Sequence, residues 1–229
     1  MSTISDNIKT VKENIKNAAL RSGRAAEDII LVAVSKTVGK AEILDAFDNS
    51  GQIHFGENKV QELVRKYDER FKWHLIGHLQ KNKVKYIVDK VELIHSVDSV
   101  ELMDEIEKYA IKSSKNVSFL LEVNISGEKS KFGVPPEDVL GIVTKMTQYR
   151  NITLKGLMTM APNITDTEKI RHIFKQLYVM YIDINKKDIH NVNMKYLSMG
   201  MSNDYEVAIE EGANLVRVGT SIFTKAENV

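Results

Sequence analysis

An α/β fold, a single (β/α)8 TIM barrel with an additional amino-terminal helix, is what this sequence predicts, and three observations lead to it. Short apolar runs rich in β-branched residues alternate with amphipathic runs along the whole chain, and eight of the short runs can be counted. Their carboxyl ends turn abruptly polar, which is where a parallel barrel collects ligand-binding groups. No linker or low-complexity segment breaks the alternation, so one domain is expected over residues 1–229.

The amino-terminal helix carries Ile4, Ile8, Val11, Ile15 and Ala19 at helical spacing, with Lys9, Lys12, Glu13 and Lys16 between them, and stops near Gly23. The first short run, residues 29–35, is too brief for a helix and is flanked by polar residues, which reads as a strand buried on both faces. It ends in Ser35-Lys36-Thr37. The other strands are expected at 52–55, 72–76, 92–97, 117–123, 152–158, 194–199 and 215–218. Helical patterns fall between them at 40–49, 58–69, 80–89, 99–113, 136–149, 165–187 and 204–211. Pro135-Pro136 before Glu137 and Asp138 is how a helix begins, with proline in the first turn and acids near the positive end of the dipole. The longest loop, 124–134, also follows a strand.

Composition bounds the function. The 32 basic and 31 acidic residues leave a net charge of +1, so no global electrostatic case exists for nucleic acid or an anionic membrane. No apolar run approaches the roughly 20 residues of a membrane span, and the amphipathic start does not read as a signal peptide. With no cysteine, disulfides, thiol catalysis and cysteine-ligated metals are excluded. A cytoplasmic protein with neither a nucleic-acid nor a membrane partner is expected.

The polar strand ends offer Lys36, Glu57, Asn58, His78, Ser96, Asn124, Thr159, Ser198 and Gly219, and a barrel would bring them to one mouth. Taken singly, each also reads as an ordinary strand end meeting a polar loop. Lys36 stands out because an amine beside an apolar core can serve as a nucleophile. Two loops stand out as well, Met199-Gly200-Met201-Ser202-Asn203-Asp204 after the seventh strand and Gly219-Thr220-Ser221 after the eighth. Each sets a glycine and small hydroxyls before a helix start, a combination suited to an anion, and these two positions are a frequent phosphate site in barrels. Alternation along the eighth strand points Arg217 into the barrel, where a guanidinium must be paired. Glu57, Glu122 or a ligand atom could pair it.

The histidines raise a competing reading, since His54, His74, His78 and His95 fall in the second to fourth strands and could suggest a metallohydrolase. His74 and His78 lie at opposite ends of a short strand, some 13 Å apart at about 3.3 Å per residue. Packed or hydrogen-bonded histidines are therefore expected, and no metal site.

Several segments together resemble one family. They are VSKT at 34–37, HFGENKVQE at 54–62, WHLIGHLQKNK at 73–83, SKFG at 130–133, GLMTM at 156–160, SMGMSNDYEVAI at 198–209 and VRVGTSIF at 216–223. In this order, over nearly the whole chain, they resemble the pyridoxal phosphate homeostasis proteins, single-domain relatives of the barrel half of alanine racemase. The resemblance implies that Lys36 holds pyridoxal 5'-phosphate as a Schiff base. It also implies that Ser202, Gly219, Thr220 and Arg217 hold the phosphate and the ring nitrogen, and that Asn58 lies near the cofactor. The family usually continues with glycine after VRVGTSIF, whereas this chain has Thr224-Lys225.

An arginine against a pyridine nitrogen disfavours its protonation and makes the ring a poor electron sink, which argues against transamination and decarboxylation. Racemisation needs acid and base on opposite faces of the substrate carbon. In alanine racemase a tyrosine from a second, carboxyl-terminal domain of the partner subunit serves one face. This chain ends at Val229, so efficient racemase activity is not expected, although Tyr205 could in principle substitute. The resemblance implies a role in vitamin B6 homeostasis, storing the cofactor or delivering it to apoenzymes that depend on it. A monomer is expected, with a dimer left open.

Overall fold

The computed structural model of the chain describes residues 3–128 and 131–224. Eight parallel strands close into a barrel: β1 (Ile30–Val34), β2 (His54–Glu57), β3 (Lys72–Leu75), β4 (Val91–Val97), β5 (Val117–Glu122), β6 (Ile152–Met158), β7 (Val192–Ser198) and β8 (Leu215–Val218). Closure comes from β1 pairing with β8, Ile30 beside Leu215 and Ala33 beside Val218. The helices are α1 (Ile4–Arg21), α2 (Lys40–Ser50), α3 (Val60–Lys66), α4 (Val100–Ser113), α5 (Val139–Thr144), α6 (Thr167–Asn185), α7 (Tyr205–Glu210) and α8 (Thr220–Phe223). None of them is long and apolar enough to cross a membrane.

The expected additional helix is α1, opened by a capping box in which Thr3 and Asp6 exchange hydrogen bonds. It lies across the seam where the barrel closes. Ser5 and Lys12 donate to the Asn49 and Ser50 carbonyls at the end of α2, while Asn7 donates to Ile222 O of α8 and Arg21 pairs with Glu206 and Glu210 of α7. Its buried face, Ile8, Val11, Ile15, Ala18 and Ala19, joins the large apolar layer between sheet and helices.

Three expectations need correction. The second strand is displaced to His54–Glu57. Gly56 lies inside the strand, where a Cβ would come within 2.9 Å of Val32 Cγ1. Ahead of the strand, the Gln52 amide donates to Leu31 O and His54 O, replacing ladder bonds. The helix expected at 80–89 is only a 3-10 turn, Lys81–Tyr86, in which Val84 is the buried residue. Lys81, Lys83 and Lys85 crowd that segment with like charge and leave it a narrow apolar face. The helix expected at 136–149 is broken into two 3-10 turns flanking α5. Ser130 of the SKFG segment and Lys225 lie outside the described residues.

Two apolar clusters divide the core. Ala33, Phe55, Trp73, Leu75, Phe119, Leu121, Val216 and Val218 belong to the layer under the helices. Val32, Leu93, Leu120, Met158 and Leu215 form a smaller cluster inside the barrel. The inward face of each strand follows from this division and from the two-residue period.

Candidate functional site

Register alone gathers much of the mouth. Val32 pairs with Arg217 and Ala33 with Val218, so the loop after β8 runs alongside the end of β1. A Cβ on Gly219 would lie 3.1 Å from both Cβ and O of Val34, a close approach that only glycine allows without a shift. On the other side, Val34 pairs with Gly56, so the segments that carry Lys36 and Asn58 leave the same end of neighbouring strands. Lys36 follows the end of β1 by two residues and is solvent-exposed, as are Asn58 and Thr220. Asn58 is seated by Gly77, where a Cβ would fall 2.4 Å from Asn58 O.

The backbone before Lys36 is anchored from the opposite side of the sheet. Ser35 Oγ donates to Glu57 Oε1 at 2.7 Å, and the buried Lys66 ammonium of α3 donates both to Glu57 Oε1 at 2.7 Å and to Ser35 O at 2.8 Å. Glu57 is fully buried, and its Oε2 has no partner among the described residues. This carboxylate therefore faces α3 and does not pair Arg217. Lys66 escaped the sequence reading, although Val60, Leu63 and Lys66 share one helical stripe and that spacing was its signal.

The loops after β7 and β8 meet. Gly200 adopts φ 91°, and a Cβ there would strike Ala208 and Tyr205 of α7. Arg217 N donates to Gly200 O at 3.0 Å, Gly219 N donates to Ser202 Oγ at 3.3 Å, and the buried Asp204 carboxylate accepts from Met201 N. The N–H groups of Ser202, Asn203, Thr220 and Ser221 have no acceptor among the described residues. Ser202 and Gly219 are thus bonded to one another, with Thr220 next in the chain.

Arg217 points into the barrel and is almost wholly buried. Its Nη1 donates to Ser198 Oγ, and its Nη2 donates to Thr159 O at 3.0 Å. Neither carboxylate named from sequence bonds it directly. Burial pulls its pKa down to about 10, opposed by the fields of Asp204 and Glu122. Glu122 sits on the inward face of β5, and burial raises its carboxyl to about 7, helped by Asp98 and opposed by Arg217.

The remaining polar strand ends serve the scaffold. Ser96 Oγ donates to Gly77 O, Thr159 Oγ1 to Val123 O, and Asn124 organises its own loop. His78 stacks on Phe132 at 4.0 Å. The other strand histidines bond one another, His54 Nδ1 to His74 Nε2 and His74 Nδ1 to His95 Nε2, each at 2.9 Å. Tyr205 is buried, and its hydroxyl accepts from Asn14 Nδ2 of α1 at 3.0 Å, so the phenol is held against α1.

An exposed primary amine, a pair of loops with unengaged amides and a buried guanidinium with N–H groups to spare therefore share one end of the barrel. The set can bind an anion, donate to a ring acceptor and condense with an aldehyde. The family described as alanine racemase, N-terminal domain, matches residues 7–226. A pyridoxal phosphate homeostasis protein from Aquifex aeolicus is 42% identical over 222 residues, 95% of this chain and 96% of the relative. The crystal structure of an unknown protein from Bifidobacterium adolescentis superposes with a TM-score of 0.90 at 36% identity, covering 96% of this chain and 94% of the other. PipY of Synechococcus elongatus, in a crystal structure with PLP bound, superposes with a TM-score of 0.80 at 32% identity, covering 92% and 99%.

Proposed function

The chain belongs to the pyridoxal phosphate homeostasis proteins within the alanine racemase N-terminal domain family, and on that premise we propose that it binds pyridoxal 5'-phosphate at the barrel mouth. In this reading the whole chain is one binding domain that stores the cofactor or delivers it to apoenzymes, and it is not an efficient catalyst. The observation that carries the reading is that β1, which leads into the exposed Lys36, lies between β2, which leads into Asn58, and β8, which leads into the Gly219 loop, with Arg217 on the barrel's inner face.

Each group has a task that its surroundings suit. Lys36 holds the cofactor's aldehyde carbon as a Schiff base, masking a reactive group. The amides around Ser202 and those of Thr220 and Ser221, with the Ser202 and Thr220 hydroxyls and the close approach allowed by Gly219, hold the phosphate. Arg217 donates to the ring nitrogen, and a cation there keeps that nitrogen from taking up a proton. Such a ring is a weak electron sink, which fits storage better than carbanion chemistry.

The test is an absorbance spectrum of the protein loaded with the cofactor, before and after borohydride. A visible imine band that borohydride bleaches into a stable adduct is expected. Lys36→Ala should lose both the band and the trapping while keeping weakened phosphate-dependent binding. A trapped adduct that survives in Lys36→Ala would assign the linkage to another lysine, and the reading of the mouth would fall.

A further inference from the structure

The hydrogen bonds among the histidines do not stop at His95. His95 Nδ1 lies 2.9 Å from Ser198 Oγ, and Ser198 Oγ is the group that accepts from Arg217 Nη1. One unbroken series thus runs Arg217, Ser198, His95, His74, His54. It starts at the inward face of β8, crosses β7, β4 and β3 through the barrel interior, and ends at the first residue of β2. His54 is half-buried, whereas His74 and His95 are buried.

The direction of the series is fixed at one end. A guanidinium has only donors, so Ser198 Oγ must accept from Arg217. Among the described residues, the remaining partner of that hydroxyl is His95 Nδ1, so the buried O–H is satisfied only by donating to it. His95 must then carry its proton on Nε2 and donate to His74 Nδ1. His74 in turn carries its proton on Nε2 and donates to His54 Nδ1. Every dipole points the same way, with the acceptor end at Arg217, and bonds so aligned strengthen one another in a low dielectric. Burial keeps the imidazoles neutral, holding His54 down to about 4, His74 to about 3 and His95 well below the ordinary histidine range. The arrangement explains how a buried guanidinium persists with no carboxylate bonded to it.

We propose that Ser198, His95, His74 and His54 form a one-way donor chain that positions Arg217, and thereby sets how strongly its remaining N–H groups bind the ligand's ring nitrogen. The ring-nitrogen part rests on the function proposed above, whereas the direction of the chain does not. These four are positioning residues, and His54 acts from the opposite end of the barrel.

Two experiments test it. Nitrogen-15 NMR of the ligand-free protein at neutral pH reads the tautomers directly, and all three imidazoles should be protonated on Nε2 alone. A proton on Nδ1 of His74 or His95 would overturn the proposal, whatever the cofactor does. The second experiment compares binding of pyridoxal 5'-phosphate with that of its 1-deaza analogue, in which a C–H replaces the ring nitrogen. Losing a charge-assisted hydrogen bond should weaken the analogue by roughly tenfold or more in the wild type. His74→Leu, which interrupts the chain without touching Arg217 or the mouth, should shrink that ratio several-fold. His74→Gln should restore it, because an amide can accept from His95 and donate to His54. A ratio unchanged in His74→Leu would overturn the positioning role. No preference in the wild type would instead refute the pairing of Arg217 with the ring nitrogen, and the tautomer result would still decide the chain. If His74→Leu does not fold, His54→Leu reads the same ratio from a site far from the ligand.

Discussion

Lys66 and Glu57 form a buried ion pair whose attraction offsets desolvation only while both members are present. Removing one leaves a charge without compensation. Lys66→Ala should therefore destabilise the fold by about 3–5 kcal/mol, measured by urea denaturation, whereas Lys66→Met combined with Glu57→Leu should recover most of that loss. A single variant as stable as the wild type would mean that the pair is not an anchor for the strand end before Lys36. Tyr205 supports a second expectation. Its hydroxyl is already engaged by Asn14 of α1, which argues against its serving as the second acid of a racemase. Chiral chromatography of alanine, serine or glutamate incubated with the loaded protein should show negligible interconversion. Turnover at roughly 1 per second or faster that vanishes in Lys36→Ala would favour catalysis.

At the scale of elements, the two loops act as one unit, because Ser202 Oγ accepts from Gly219 N while Arg217 N reaches back to Gly200 O. On the proposed function, Ser202→Ala removes a phosphate donor as well as the acceptor that joins the loops. Affinity for pyridoxal 5'-phosphate should fall by about 1.5–3 kcal/mol, the range for a hydrogen bond to a charged group, while borohydride trapping survives. Pyridoxal without its phosphate should be insensitive to the substitution, and equal losses for both ligands would put the phosphate elsewhere. These loops were legible in the sequence because glycine and small hydroxyls recur in the two positions where barrels bind phosphate. Arg217 was legible through alternation with Val216 and Val218. Its partners were not, because a serine and a backbone carbonyl on other strands leave no mark beside it in the chain. The histidine series was hidden for a similar reason. Its members come from separate strands, and only the stagger of the closed barrel brings their rings into contact. Element boundaries failed where a residue served tertiary packing against its local habit, as Gly56 does inside β2 and the crowded lysines do along Lys81–Tyr86.

The whole molecule should respond to acid. Histidines held at about 4 and about 3 in the fold titrate near 6.5 when unfolded, so the unfolded chain binds more protons throughout that window. Their contribution is complete above about 6.5 and is lost as pH falls. Glu122 has the opposite sign, since a carboxyl raised from 4.5 to about 7 favours the fold at low pH and ceases to do so as pH rises through that range. Asp204, also raised by burial, has the sign of Glu122, and the protons of His54, His74 and His95 outnumber these two, each at about 1.4 kcal/mol per pH unit. Urea midpoints should therefore decline from pH 6.5 towards 4.5, and a flat or rising profile would contradict the buried, neutral imidazoles.

The seam spanned by α1 has a consequence for the order in which this protein can assemble. The partner of β1 on one side is β8, so during synthesis the strand that leads into Lys36 keeps an unpaired edge until β8 has emerged. The groups that α1 grips on α7 and α8 are equally late. The first helix and the first strand must therefore wait, exposed and apolar, for the last, and a chain interrupted before β8 has neither a closed sheet nor a wall beside Lys36. A nascent chain of this kind, with apolar surface and a strand edge left open until β8 arrives, is a natural client for chaperones at the ribosome.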